Sequence, residues 1–193
     1  MVAIKLSATA FVRRKSGEGF RQRAPYASLP LSARFAAAAT LALALWLSGS
    51  SPATAASNKV RITSLSDVAF GTIPSLAVDA VRSQSVCLFA DTTTNGYTIT
   101  ATGTGPAGTF ELTSGLAAMP YEVEWSSSAG QSSGIQLTPN LPLTGQVSPA
   151  THQTCNNGPA TSASLILMLR SSALSSAQAG TYNGTLTLIV GPE

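Results

Sequence analysis

The stretch TYNGTLTLIV at 181–190 decides the fold. Tyr182, Gly184, Leu186, Leu188 and Val190 fall on one side of an extended chain, and Thr181, Asn183, Thr185, Thr187 and Ile189 fall on the other. A repeat of two belongs to a strand, because successive side chains of a pleated backbone point to opposite faces. The segment 119–126 (MPYEVEWS) repeats the pattern, with Tyr121, Val123 and Trp125 on one side and Glu122 and Glu124 on the other. One face is therefore expected to be buried and the other wet.

Further upstream, the runs 59–65, 68–73, 84–90, 96–102, 109–113, 134–138 and 163–171 are rich in β-branched or aromatic residues. Clusters such as Thr94-Asn95-Gly96, Gly105-Pro106, Pro139-Asn140 and Asn156-Asn157-Gly158-Pro159 separate them as turns. No amphipathic helix is evident after residue 56. Many short strands without crossover helices predict an all-β fold, an immunoglobulin-like Greek-key β-sandwich.

Ahead of this domain the text changes. The chain has 193 residues, a formal charge of +3 and a sequence pI near 9.1, with 10% charged and 44% hydrophobic residues and a mean hydropathy of +0.22. Lys5, Arg13, Arg14, Lys15, Arg21, Arg23 and Arg34 all precede an apolar run of 13 residues at 35–47 (FAAAATLALALWL). Small residues follow at 53–57 (ATAAS). That order is a secretory signal with a long basic region and an A-x-A cleavage site. Thirteen helical residues span about 20 Å, short of the roughly 30 Å hydrocarbon core, so no retained transmembrane anchor is expected. Arg13-Arg14 stands far ahead of the apolar run and lacks the flanking pattern of a twin-arginine signal.

The expected organisation is a signal peptide over 1–55 and a mature domain over 56–193. Four bases (Lys59, Arg61, Arg82, Arg170) and seven acids remain in the domain, a charge of −3. Nucleic-acid binding thereby loses its electrostatic support. Cys87 and Cys155 are the two cysteines, and in an exported chain an even number makes one disulfide the default; two free buried thiols are the alternative. The bond would close a loop of 68 residues, on the order of 4 kcal/mol in the chain-entropy account.

Patterns that suggest chemistry lack their structural context. Gly103-x-Gly105-x-x-Gly108 matches a dinucleotide fingerprint, yet the strand-like run 109–113 follows where a helix should open. Gly130-x-Ser132-x-Gly134 matches a nucleophile elbow, but no acid lies between Ser132 and His152, the one histidine. His152 and Cys155 would give zinc two ligands where a structural site takes four. Asn183-Gly-Thr185 is a glycosylation sequon inside a strand pattern, and Glu122 and Glu124 have no evident base beside them. The residues therefore point to a non-enzymatic protein without cofactor or metal.

Several segments together resemble the spore coat U domain family, pilin-like subunits of the archaic chaperone–usher pathway. They are Phe70-Gly71, Val86-Cys87, 96–100 (GYTIT), 119–125 (MPYEVEW) and 179–190 (AGTYNGTLTLIV). The likeness spans roughly 60–193. It implies a sandwich missing its last strand, with 181–190 left as an open edge beside an apolar groove. Such edges invite strand addition. By position, Gly180, Tyr182, Gly184, Leu186, Leu188 and Val190 would form the complementation edge and groove, with Gly180 leaving a pocket or backbone approach free.

The implied partners are a periplasmic chaperone, an usher and neighbouring pilus subunits. The implied location is the periplasm in transit, then the cell surface or the medium, and the implied roles are adhesion or biofilm formation. Two readings of 59–65 follow. Either it is the domain's own first strand, or Val60 and Ile62 are knobs of a donor strand. The competing function is a complete secreted β-sandwich binding carbohydrate or a surface ligand through loops near 91–96, 103–108 and 126–134.

Overall fold

The computed structural model describes residues 1–10 and 58–193; the apolar run at 35–47 and the cleavage string lie outside the described residues. Twelve strands and one short helix are described. They are β1 (Val2–Ala10), β2 (Lys59–Thr63), β3 (Val68–Gly71), β4 (Ala80–Asp91), β5 (Gly96–Thr102), β6 (Glu111–Ser114) and β7 (Ala117–Pro120). Then follow β8 (Glu122–Ser126), β9 (Ile135–Gln136), β10 (Leu143–Val147), β11 (Ala163–Leu169), α1 (Ser171–Ser176) and β12 (Tyr182–Pro192).

Two sheets form a β-sandwich. One runs β10-β5-β12-β1-β3, with β6 beside the start of β12 and β7 beyond it; the other runs β2-β4-β11-β8-β9. The alternating text dictates this layering. In β12, Tyr182, Leu186, Leu188 and Val190 are buried while Asn183 and Ile189 are exposed, so the even side faces the other sheet. In β8, Val123 and Trp125 are fully buried between half-exposed glutamates. β11 is buried on nearly every residue because it lies in the middle of its sheet between β4 and β8.

The sequence pattern at 119–126 divides into two strands. Pro120 ends β7 in the first sheet, and the chain passes at Tyr121, whose N–H donates to Phe110 O at 2.9 Å, into β8 of the second. A proline lacks the N–H that a continuing ladder would need, so the strand stops there. Three further elements depart from the expectations. The Ser-rich α1 follows β11 directly, β10 lies in a stretch where no strand was expected, and β1 lies within the segment expected to be a leader.

A buried polar contact joins the sheets. Trp125 Nε1 of β8 donates to Tyr97 Oη of β5 at 2.9 Å, and the two rings meet edge to face at 6.4 Å. Burial pushes the Tyr97 phenol up to about 12, against the smaller opposing pull of the Trp125 hydrogen bond.

Cys87 and Cys155 form the expected disulfide, with a Cα–Cα distance of 5.9 Å. It fastens the 148–162 connection onto β4. Ser162 extends that attachment, accepting from Leu88 N at 2.8 Å and donating to Leu88 O at 2.7 Å. Replacing both cysteines by serine is expected to lower unfolding free energy by about 2–4 kcal/mol in urea titrations, since the bond closes 68 residues of sequence.

Arg170 ties β11 to two carboxylates, donating to Glu122 at 2.6 Å and to Asp79 at 3.0 Å. Asp79 also accepts from Ser171 N at 2.7 Å, which caps the entry to α1. The Ser171 N–H, then the Arg170 guanidinium, hold the Asp79 carboxyl below its ordinary range. A carboxyl depressed in the fold contributes stability above its unfolded pKa of about 3.9, and that contribution is lost as pH falls through the folded value. Melting temperatures from pH 6 to pH 2 should therefore fall less steeply in Asp79→Asn than in the wild type. Equal slopes would contradict the assignment.

Candidate strand-complementation site

The edge of β12 is not open. Its outer side carries β1, which runs parallel to it from Val2↔Tyr182 to Ala10↔Val190 without a break in register. On its other side the start of β1 pairs antiparallel with β3, Val2 opposite Gly71 and Ile4 opposite Val68, with a register shift between Val2 and Ala3. Among the described residues the pairing of β1 with β3 runs from Val2 to Ile4. The Met1 carbonyl accepts from Tyr182 N at 3.0 Å.

Ile4 is fully buried and Val2 nearly so, both in the same core as Leu186, Leu188 and Val190, whereas Lys5 is exposed. Residues read as the basic part of a leader thus supply a strand of the sandwich. The pattern was present in the text: Val2, Ile4, Leu6, Ala8 and Ala10 alternate with Ala3, Lys5, Ser7 and Thr9.

The structure brings together all six positions of the expected edge. Tyr182, Leu186, Leu188 and Val190 are core residues of β12. A Cβ on Gly184 would stand 2.8 Å from Leu112 Cδ2 and 3.0 Å from Glu111 O, so this position admits no side chain without movement of β6. Gly180 lies at the end of the slot, where a Cβ would stand 2.6 Å from Ser114 Oγ. It borders a cavity of about 350 Å³, lined also by Met1, Val2, Gly71, Leu76 and Leu174.

Of the two readings of 59–65, the structure takes the first. Val60 and Ile62 belong to β2, which pairs antiparallel with β4 in a five-residue register from Lys59↔Asp91 to Thr63↔Cys87. Val60 is buried and Ile62 packs on the core. A segment held by both a ladder and a core side chain serves its own domain here, in line with the first reading rather than the alternative of a donor strand.

The glycine-rich and His152-Cys155 patterns occupy loops, whereas Glu122 and Glu124 stand in β8 and Asn183 in β12. The 103–108 glycines form a turn around Pro106–Gly108, closed by Gly103 N donating to Gly108 O at 2.8 Å. In 130–134, Gly130 N and Gln131 N donate to Ser85 and Ser164 hydroxyls, which fastens that loop to β4 and β11. Glu124 accepts from Gly134 N at 2.8 Å, and Glu122 faces Arg170. His152 Nδ1 lies 3.2 Å from Thr154 Oγ1, and Cys155 is disulfide-bonded. Among the described residues, no group of three or more His, Cys, Asp or Glu gathers to hold a metal ion, and no helix is long and apolar enough to cross a membrane.

No family model and no curated protein matches the chain. One solved structure that does is described as "Chaperone-tip adhesin complex is vital for synergistic activation of CFA/I fimbriae biogenesis", at 15% identity and a TM-score of 0.45. The match covers 70% of this chain and 41% of that one, so the chain spans less than half its length. A likeness at that level carries no argument. The site rests on its own geometry.

Proposed function

We propose that residues 56–193 are an exported structural subunit of a pilus-type surface fibre, assembled by strand complementation. A periplasmic chaperone, an usher and neighbouring subunits are the partners in this reading, and residues 1–55 are its export leader. The observation that carries it is the origin of β1. The strand between β12 and β3 comes from residues 2–10, so a domain cut free of its leader lacks one strand of its own sheet. An apolar slot with an unpaired β12 edge must be filled from another chain or it aggregates. Backbone bonds along 182–190 would give the incoming segment its affinity, and alternate side chains meeting Leu186, Leu188 and Val190 would set its register.

The test is to label cells that produce the chain with an antibody raised against the domain and view them by electron microscopy. Linear labelled fibres that disappear when the coding sequence is deleted are expected. Exclusive recovery of a stable soluble monomer from the medium would overturn the reading.

A further inference from the structure

We propose that Arg82 and Gln84 are positioning residues for the incoming strand, a bracket that reaches from β4 of one sheet and holds β3 of the other as the second wall of the slot. This rests on the slot being the assembly site, and adds what keeps it two-sided once β1 has gone.

β3 stands at the end of its sheet next to β1, with Gly71, Ala69 and Val68 paired to Val2, Ala3 and Ile4. Loss of β1 removes that ladder. With neighbouring strands about 4.8 Å apart, a gap of roughly 10 Å then separates β3 from β12. The backbone on either side of β3 is irregular. Ser64 ahead of it has a φ of +63°, Gly71 closes it at +71°, and residues 72–79 beyond hold no helix or strand.

Side chains of β4 supply a hold of another kind. Gln84 and Arg82 stand two residues apart, opposite the buried Leu165 and Leu167 of β11, so both lie on the face of β4 that looks toward the other sheet. Gln84 Oε1 accepts from Ser66 N and from Ser66 Oγ at 3.1 Å, and its Nε2 donates to Ser66 O at 2.9 Å. Arg82 Nη2 donates to Phe70 O at 3.3 Å, and its guanidinium carbon lies 5.7 Å from the centre of the Phe70 ring. The pair thus grips the chain just before β3 and again within it. These contacts do not involve β1, so they outlast its removal.

A segment entering between two fixed walls pairs on both of its sides, as β1 does at residues 2–4. One added to β12 alone leaves an outer row of N–H and C=O groups unpaired. If β3 were free to swing, the incoming strand would have to order it, and that lost entropy would weaken binding.

The test rebuilds the sandwich from two pieces. Residues 56–193, disulfide intact, are refolded from urea with a fluorescent peptide of residues 1–10, and release of the peptide is followed after excess unlabelled peptide is added. Arg82→Met and Gln84→Met should each speed release about tenfold, and Arg82→Lys, which keeps a cation near Phe70, should do so less. Trp125→Phe, which weakens the core without touching β3, should stay within about twofold of the wild type. In the intact chain, which carries its own β1, hydrogen exchange at 68–71 should rise about tenfold in both Met variants, with exchange at 97–102 unchanged. That measurement serves even where a variant domain does not refold. Wild-type release rates in both Met variants, equal acceleration by Trp125→Phe, or unchanged exchange at 68–71 would overturn the bracket alone. A wild-type domain that takes up no peptide would overturn strand complementation itself, and the bracket with it.

Discussion

A chain beginning at residue 56 is expected to lose its cooperative unfolding transition and to associate as it is concentrated. Removing β1 takes Val2 and Ile4 out of the core, and each buried aliphatic side chain of this size contributes about 1.5–3 kcal/mol. It also uncovers the inner side of Leu186, Leu188 and Val190 and leaves the β12 backbone unpaired from Tyr182 to Val190. Against a total stability of about 5–15 kcal/mol for an ordinary domain, the loss of roughly 3–6 kcal/mol from two side chains alone removes a large part of the margin. The unpaired edge turns the remainder into an aggregation hazard. Circular dichroism melts and size-exclusion profiles at several concentrations read both effects. Excess peptide of residues 1–10 should restore a single transition, by about 2.7 kcal/mol at a hundred times its dissociation constant. A sharp, concentration-independent melt of 56–193 alone would contradict the expectation.

What could be read from residues, and what could not, divides along a physical line. β5, β12 and the buried face of β8 were legible because one-sided burial writes itself into the text as alternation at every second position. The disulfide was legible from the even cysteine number in a chain expected to be exported. β10 was not: its text LTGQV holds Gly145 at a φ of +69°, its pairing with β5 shifts register, and only Gln146 is buried. α1 was too short for a helical period and is made largely of serine. β1 failed for a different reason. Its alternation is regular, but basic residues and an apolar run downstream gave the same stretch another meaning, and two uses of one segment cannot be separated by pattern. β12 was expected as an open edge but is an interior strand, because its partner β1 pairs with it across more than 170 residues of sequence, which no local signal encodes.

The largest single-residue effect is expected at Trp125. It is fully buried, its indole N–H is satisfied by Tyr97 Oη, and it spans the interface between the two sheets. Trp125→Ala opens a cavity where β8 faces β5 and leaves the Tyr97 hydroxyl without its donor, for a destabilisation of about 3–5 kcal/mol. Trp125→Phe keeps most of the ring packing and removes the N–H, so its loss should be nearer 1–3 kcal/mol, the penalty of a buried polar group left without its partner. Tyr97→Phe removes the other half of the pair. If the contact between the two rings is a true coupling, the double variant Trp125→Phe/Tyr97→Phe will be more stable than the sum of the two single losses predicts, by about 1 kcal/mol in urea titrations. Alkaline titration gives an independent reading. A phenol whose folded pKa is raised to about 12 contributes stability that is complete below the unfolded value near 10 and is lost as pH rises through 12. Wild-type stability should therefore decline above pH 10 more steeply than that of Tyr97→Phe, which has no phenol to ionise. Strict additivity of the two substitutions, together with identical alkaline slopes, would show that the sheets are joined by packing alone.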